Sequence, residues 1–419
     1  MKPELQTGLK ARAGGVPPAS RVAHPPSTPA ATRVASVDAY RGLVMFLMMA
    51  EVLELKKVAE ALPGNAAWRF LAFHQTHAEW AGCSLHDLIQ PSFSFLVGVA
   101  VPFSLAGRVA RGQKTWAMLL HAAWRSLLLI ALGIFLRSIG KPQTRFTFED
   151  TLSQIGLGYF FLFLLGFVRQ RWQWVAFAAL LVGYWAAFAL YPVPGEDFNY
   201  GAVGLTGPWP YDPATFAAHW NKNTNLAWAF DRWFLNLFPP PGWFAFNGGG
   251  YATLSFVPTL ATMVLGLIAG GWLRGAATGE YKAVLLAVAG AASLAAGFAA
   301  DYFGVCPSVK RIWTPAWVLF SGGWCFLLLA GFYAVMDLAR LQTWAFPLRV
   351  IGANSIAAYV MAHLIDPKFI AGSFRTHLGQ GVFETWGAAY EPFAVGLAVL
   401  AVYWLILFWM YRRRIFLRI

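Results

Sequence analysis

Residues 392–411 read PFAVGLAVLAVYWLILFWMY, and Arg412-Arg413-Arg414 follow directly. Twenty residues without a charge make a helix of about 30 Å, the thickness of the hydrocarbon core of a bilayer. The three arginines close the segment and, by the positive-inside rule, place its end in the cytoplasm. Upstream, apolar runs of similar length recur. They set the expected fold class: all-α, a polytopic membrane helix bundle of about ten transmembrane helices.

Composition agrees with this. The chain has 419 residues, 58% hydrophobic and 12% charged, against about 25% charged in soluble domains. That leaves too few charges to cover a surface facing water. Its 20 tryptophans and 35 phenylalanines suit the membrane interface, where aromatic rings collect. The net charge of +13 reads as topology. No basic stripe stands apart from the helix ends, so nucleic acid is not an expected partner.

The expected spans are roughly 40–60, 88–106, 116–136, 152–168, 173–191, 252–273, 283–300, 314–336, 350–366 and 392–411. The fourth and fifth are short and separated only by Arg169-Gln170-Arg171. With the N-terminus inside, every inner loop is basic. These loops hold Arg108, Arg111 and Lys114, then Arg169 and Arg171, then Arg274 and Lys282, then Arg340 and Arg349. Both termini are therefore expected in the cytoplasm. Residues 1–35, rich in Pro, Ala, Arg and Ser, read as a disordered basic cytoplasmic tail without the apolar core of a signal peptide. Residues 36–419 read as one transmembrane domain with outer loops at 61–87 and 192–251. Of the three cysteines, Cys83 and Cys306 fall in outer loops where a disulfide is compatible, but lone thiols fit better, and no metal spacing is present.

Ionisable groups in or beside apolar spans are the first functional candidates. Asp38 and Arg41 share one face of the first helix at i and i+3. Glu51 lies deeper and requires a partner, a proton or a water-filled cavity. The densest stretch is 74–91, with His74, His77, Glu79, Trp80, His86 and Asp87 just before the second span. Histidine exchanges a proton near neutral pH, so it can act as a base or a nucleophile, or simply anchor the loop at the interface. Arg125, Asn354, Ser355, His363 and Asp366 are further polar positions, and His363 and Asp366 at i and i+3 suit a proton-handling pair. Asp231 and Arg232, beside Trp228 and Trp233 in the long loop, suit sugar recognition or an ordinary solvated loop.

Several segments together resemble the heparan-alpha-glucosaminide N-acetyltransferase family and its bacterial relatives among the transmembrane acyltransferases. Arg33-Val34-Ala35-Ser36-Val37-Asp38-Ala39-Tyr40-Arg41-Gly42 is similar to the family's R-x-x-S-x-D-x-x-R-G at the start of its first core helix. His77 through Leu88 resembles H-x-x-W-x-G-x-x-x-x-D-L, and Pro91 with Phe93-Ser94-Phe95-Leu96-Val97-Gly98 resembles P-x-F-x-F-x-x-G. Asp231-Arg232-Trp233, Gly352-Ala353-Asn354-Ser355-Ile356-Ala357-Ala358-Tyr359 and Tyr411-Arg412-Arg413-Arg414-Ile415-Phe416 carry weaker likenesses. The chain departs from the family at Val52, which stands beside Glu51 where human-like members carry an active-site Asn. It departs again at Phe246-Asn247-Gly248-Gly249-Gly250-Tyr251, where relatives tend to have a D-P-E-G-like turn.

The resemblance implies transfer of an acetyl or other acyl group from cytosolic acyl-CoA to an acceptor on the outer side. A sugar amine or hydroxyl of a bacterial cell envelope is the expected acceptor. It implies His77 and Asp87 as catalytic residues, with Glu51 taking over polar work beside the departure at Val52, and Asp38, Arg41, Asn354 and Ser355 toward the coenzyme A donor; Arg125 is expected on the donor side by its charge and position alone. Asp231, Arg232, Trp80 and His363 are implied toward the acceptor. No metal is implied, the bilayer is the third partner, and a homodimer is compatible. The expected location is the bacterial cytoplasmic membrane. Two other functions stay open on the residues alone, a small-solute transporter and a non-catalytic membrane protein that binds an acyl donor.

Overall fold

A computed structural model of the chain describes residues 34–195, 197–205, 211–239 and 242–417. The tail expected over 1–35 lies outside the described residues as far as Arg33. Among the described residues every regular element is helical, and the one extended pairing is an isolated bridge between Ala81 and Val309.

The helices run in the order α1 (Ala35–Met49), α2 (Leu55–Ala61), α3 (Ala66–Gln75), α4 (Ile89–Ala110), α5 (Thr115–Ser138) and α6 (Thr151–Leu165). They continue with α7 (Gln170–Ala189), α8 (Leu226–Phe234), α9 (Phe256–Arg274), α10 (Gly279–Tyr302) and α11 (Pro315–Tyr333). The last are α12 (Phe346–Ala353), α13 (Ser355–Leu364), α14 (Pro367–Leu378), α15 (Gln380–Phe383) and α16 (Glu391–Arg412). Seven helices among the described residues are long and apolar enough to cross a membrane, those carrying α4, α5, α7, α9, α10, α11 and α16. An eighth crossing results if α12 and α13, bent by 67° at Asn354, count as one broken span. The chain is a multi-pass membrane protein. All ten expected segments are mostly helical, and by length and apolarity seven or eight of them qualify as full crossings. The first segment stops as α-helix after 15 residues, and α6 also has only 15.

Burial shows which helices face lipid. α9 is apolar on every side, and 258–270 are all buried, as expected of a helix surrounded by others. It packs on α4, α6, α7 and α11. α5 is different. Trp116, Leu120, Trp124 and Leu127, at helical spacing, are each more than half exposed. An apolar stripe of that size is stable in acyl chains and not in water.

α1 packs along α12 through two glycines. A Cβ on Gly42 would overlap the Leu348 carbonyl, and one on Gly352 would overlap the Asp38 carbonyl. This close approach of backbones is the membrane form of small-residue packing. The broken span is tied at its bend by Asn354, whose Nδ2 donates to the Ile415 carbonyl (2.9 Å) and whose Oδ1 accepts from Leu417 N–H (3.2 Å). At the other end of the bundle the loops before α4, α6, α9 and α11 converge, and the cavity described next lies among them.

Candidate active site

The first expected span ends early, and that break positions Glu51. α1 tightens into a 3-10 turn over Ala50–Leu53, and Glu54 then adopts a left-handed backbone (φ 50°) that turns the chain into α2. Gln75, the last residue of α3, braces the break. Its Oε1 accepts from Leu55 N–H (2.9 Å) and its Nε2 donates to the Ala50 carbonyl (2.6 Å). Glu51 is thereby held with its carboxylate 2.9 Å from His86 Nε2. The nearby Lys57 pairs with Glu54 instead (3.0 Å).

Asp87 is the hub of the next layer. It is fully buried, so its charge requires partners. Oδ2 accepts from Ala78 N–H and Ser84 N–H, both at 3.0 Å. Oδ1 stands 2.8 Å from His77 Nδ1 and 3.2 Å from Lys310 Nζ. The ring of His77 packs against that of His86, with centroids 4.5 Å apart. His77 keeps 38% of its side chain exposed, whereas Lys310 keeps 7%. With Nδ1 committed to Asp87, Nε2 is the ring atom His77 has left for a reactant.

These groups open into a cavity of about 320 Å³. Met45, Met48 and Phe93 line it from within the bundle, while Glu51, His77, His86 and Lys310 line one polar side. Gln90, Arg137, Glu149, Thr151, Tyr251, Tyr359 and His363 complete the polar lining. His363 stacks on Tyr359 (4.4 Å between centroids), and its Nδ1 lies 2.8 Å from the Tyr359 carbonyl. A carbonyl only accepts, so Nδ1 carries the proton and the neutral ring has a bare Nε2. The expected His363–Asp366 pair does not form, since Asp366 instead caps α14 by accepting from Lys368 N–H (2.9 Å).

A second carboxylate hub organises the far wall. Asp150 is fully buried and caps α6 through Leu152 N–H (2.9 Å). Its Oδ2 accepts from Arg137 Nε (3.1 Å) and from the Tyr359 hydroxyl (2.9 Å). Glu149 beside it accepts from Asn247 Nδ2 (2.5 Å). Asn247 also folds the 246–251 turn, its Oδ1 accepting from Gly249 N–H (2.8 Å), and this turn presents Tyr251 to the cavity. Gly250 takes φ +76°, and a side chain there would strike Trp80.

Burial and charge set the proton affinities. Burial lowers the pKa of His77, and the charges of Lys310 and His86 add to this, while the hydrogen bond to Asp87 pulls the other way. Burial also lowers that of Lys310, against the pull of Asp87. Burial raises the pKa of Glu149, so its neutral form persists above the usual carboxyl range.

Of the expected site residues, His77, Asp87, Glu51 and His363 come together here. The others lie elsewhere. Trp80 is buried, donates from Nε1 to the Trp220 carbonyl (3.2 Å) and shapes the loop. Asp231 is on the buried face of α8 and accepts from Thr253 N–H (3.0 Å); burial pushes its carboxyl up to about 7. Arg232 lies over the Trp228 ring at 4.9 Å. Arg125 donates to the Tyr159 hydroxyl (3.1 Å) within the bundle. Asp38 and Arg41 pair at 3.4 Å near the opposite end of α1, about 20 Å along the helix from Glu51. Asn354 has its amide engaged by the C-terminal segment, and Ser355 begins α13. Cys83, Cys306 and Cys325 are all free thiols.

Sequence reading did not assign Lys310, Arg137, Glu149, Asp150, Tyr251 or Tyr359 to a site. A Lys-Arg pair in a loop expected on the outer side, against the charge rule, was the available signal for Lys310. Glu149-Asp150 directly before an apolar span was the signal for the second hub.

No protein-family model matches the chain. It is 25% identical over 445 residues to human heparan-alpha-glucosaminide N-acetyltransferase, covering 92% of this chain and 60% of the human protein. It is 25% identical over 409 residues to the mouse enzyme of the same name, covering 85% and 58%. The chain is a relative of these N-acetyltransferases. It spans about 60% of the length of the curated relatives it matches. Among the described residues no three His, Cys, Asp or Glu side chains converge as metal ligands.

Proposed function

We propose that the protein is a membrane acyltransferase that moves an acetyl or related acyl group from cytosolic acyl-CoA to a sugar amine or hydroxyl on the outer side. The observation that carries this reading is the His77–Asp87 pair at a cavity lined by polar groups and by Met45, Met48 and Phe93 of the bundle. Its likeness to two N-acetyltransferases over most of its length supports the reaction class.

In the proposed reaction Asp87 accepts a hydrogen bond from His77 Nδ1–H, which stays on the ring, so Nε2 faces the reactants as a base. The acceptor nitrogen or oxygen attacks the thioester carbonyl and gives its proton to Nε2. The carbon–sulfur bond breaks, and the departing thiolate takes the proton back from the imidazolium. Attack requires acceptor and carbonyl about 3–3.5 Å apart. His363, with its own bare Nε2, is placed to hold the acceptor N–H or O–H. In the covalent variant Nε2 itself attacks, and an acyl-histidine stands between two half-reactions. Asp38 and Arg41, and Arg125 through its contact with Tyr159, are proposed on the donor side; Asp231, Arg232 and Trp80 are proposed to support the acceptor side through the loops they brace.

Coenzyme A release by purified protein across a panel of amino-sugar and hydroxyl-sugar acceptors tests the reading. Turnover is expected, with His77→Ala reducing it by about 10³-fold or more. A folded His77→Ala protein with full activity would remove His77 from the mechanism. Solute uptake into proteoliposomes without any coenzyme A release would replace the enzyme by a transporter. Acyl-His77 seen by mass spectrometry with donor alone would select the covalent variant.

A further inference from the structure

A carboxylate beside a histidine favours the protonated imidazole, and a protonated imidazole cannot act as a base. In this site a second cation competes for the role of counter-ion. Lys310 Nζ lies 3.2 Å from Asp87 Oδ1 and 3.0 Å from His77 Nδ1, and the lysine side chain is almost wholly buried. Its placement is built in. The loop carrying it is stitched to the histidine loop by Gly82 N–H to the Ser308 carbonyl (3.3 Å), the Ala81–Val309 bridge, and Arg311 Nη2 to the Ala78 carbonyl (3.4 Å). Thr314 clamps the same loop, its Oγ1 accepting from Val309 N–H (3.0 Å) and donating to the Pro307 carbonyl (2.7 Å). Trp313 is held at φ +51°, a left-handed backbone that a bulky residue adopts only under constraint from its surroundings.

We propose that Lys310 is a positioning residue that relieves His77 of the counter-ion role, balancing the charge of Asp87 so that His77 remains neutral with its single proton on Nδ1. The inference rests on the acyltransferase reading only for its catalytic consequence; the proton state itself is measurable without turnover. Two arrangements are available at Nδ1. With the proton there, the ring donates to Asp87 and Nε2 is bare. With the proton on Nε2, the Nδ1 lone pair could accept from Lys310 Nζ at 3.0 Å, but it would face the Asp87 carboxylate at the shorter distance of 2.8 Å, which is repulsive. Lys310 makes a doubly protonated ring costly, since its ammonium, 3.0 Å from Nδ1, would then stand beside a second positive charge. The remaining charged or titratable neighbours are His86, Glu51 and Cys83, with Arg311 on the lysine loop, Tyr359 and His363 on α13, and Arg137, Glu149 and Tyr251 at the cavity.

The experiment is carbethoxylation of His77 by diethyl pyrocarbonate, read residue by residue by mass spectrometry from pH 5 to 9, on full-length protein in detergent. Only neutral imidazole reacts, so the midpoint reports the proton state of His77. Lys310→Met is expected to raise that midpoint by about one pH unit or more, a tenfold gain in proton affinity. Lys310→Arg, which keeps the charge, is expected to stay near the wild-type value. The double change Lys310→Met with Asp87→Asn removes both charges and is expected to return the midpoint toward wild type; it serves as the readout should the single Met variant fail to fold. A Lys310→Met midpoint equal to wild type, or a double variant as high as the single, would overturn the proposal. Coenzyme A release is measured in parallel. If wild type releases none with any acceptor while the midpoints shift as described, the acyltransferase reading fails and the role of Lys310 stands.

Discussion

Asp87→Asn is the sharpest test of the site, because it changes charge without changing volume. The carboxylate has two backbone N–H donors on Oδ2, and His77 and Lys310 on Oδ1. An asparagine keeps its oxygen where Ala78 and Ser84 donate, so its NH₂ points at Lys310 and His77. Donor then meets donor. His77 must present a lone pair at Nδ1, its proton moves to Nε2, and the base is lost. Removing one partner of a buried ion pair costs about 3–5 kcal/mol. Lys310 can shed its proton more easily than a free lysine, which places the loss at the lower end, about 3 kcal/mol. Forcing the wrong tautomer on a catalytic histidine costs about 10³–10⁴-fold in rate. The assays are thermal unfolding in detergent and the kcat/KM of coenzyme A release at pH 7. A folded Asp87→Asn protein within threefold of wild-type kcat/KM would refute the reasoning, because His77 would then work without a fixed tautomer.

His363→Ala should lower kcat/KM by about 10²-fold, the usual worth of a positioned imidazole, with a thermal midpoint close to wild type; unchanged kinetics would place His363 outside the reaction. Activity should lose its acid side only below the ordinary histidine pKa of about 6.5, because burial and Lys310 hold the pKa of His77 down. The same sign applies to stability. The unfolded chain binds that proton more readily than the folded one, so the contribution is present at neutral pH and is lost as pH falls through the histidine range; a kcat/KM profile whose acid limb lies above 7 would contradict it. Gly42→Val should prevent α1 from seating on α12 at a cost of about 3 kcal/mol or more, seen as aggregation on solubilisation, whereas Gly183→Val on α7, where a Cβ meets open space, should be tolerated.

Much of the fold was legible because membrane helices declare themselves locally, through length, apolarity and flanking arginines. The break after Met49 was not. It depends on a left-handed Glu54 and on Gln75 reaching back from α3, neither of which leaves a periodic trace. The same division runs through the site. His77, Asp87, Glu51 and His363 were found because ionisable groups are conspicuous near apolar spans. Lys310 and Tyr359 were missed because their partners lie 233 and 209 residues away along the chain. Trp80, Asp231 and Asn354 stood out in the sequence, and the geometry gives them bracing contacts that shape loops and a bend, away from the cavity itself.

The distance in sequence between Asp87 and Lys310 has a bearing on biosynthesis. When α4 enters the membrane, the carboxylate that will become the hub has no ammonium to face, and none arrives until α10 has been threaded. On the proposed role of Lys310, a nascent chain would hold its histidine as a temporary counter-ion, and products truncated before Lys310 would carry the histidine motif without the proposed reactivity.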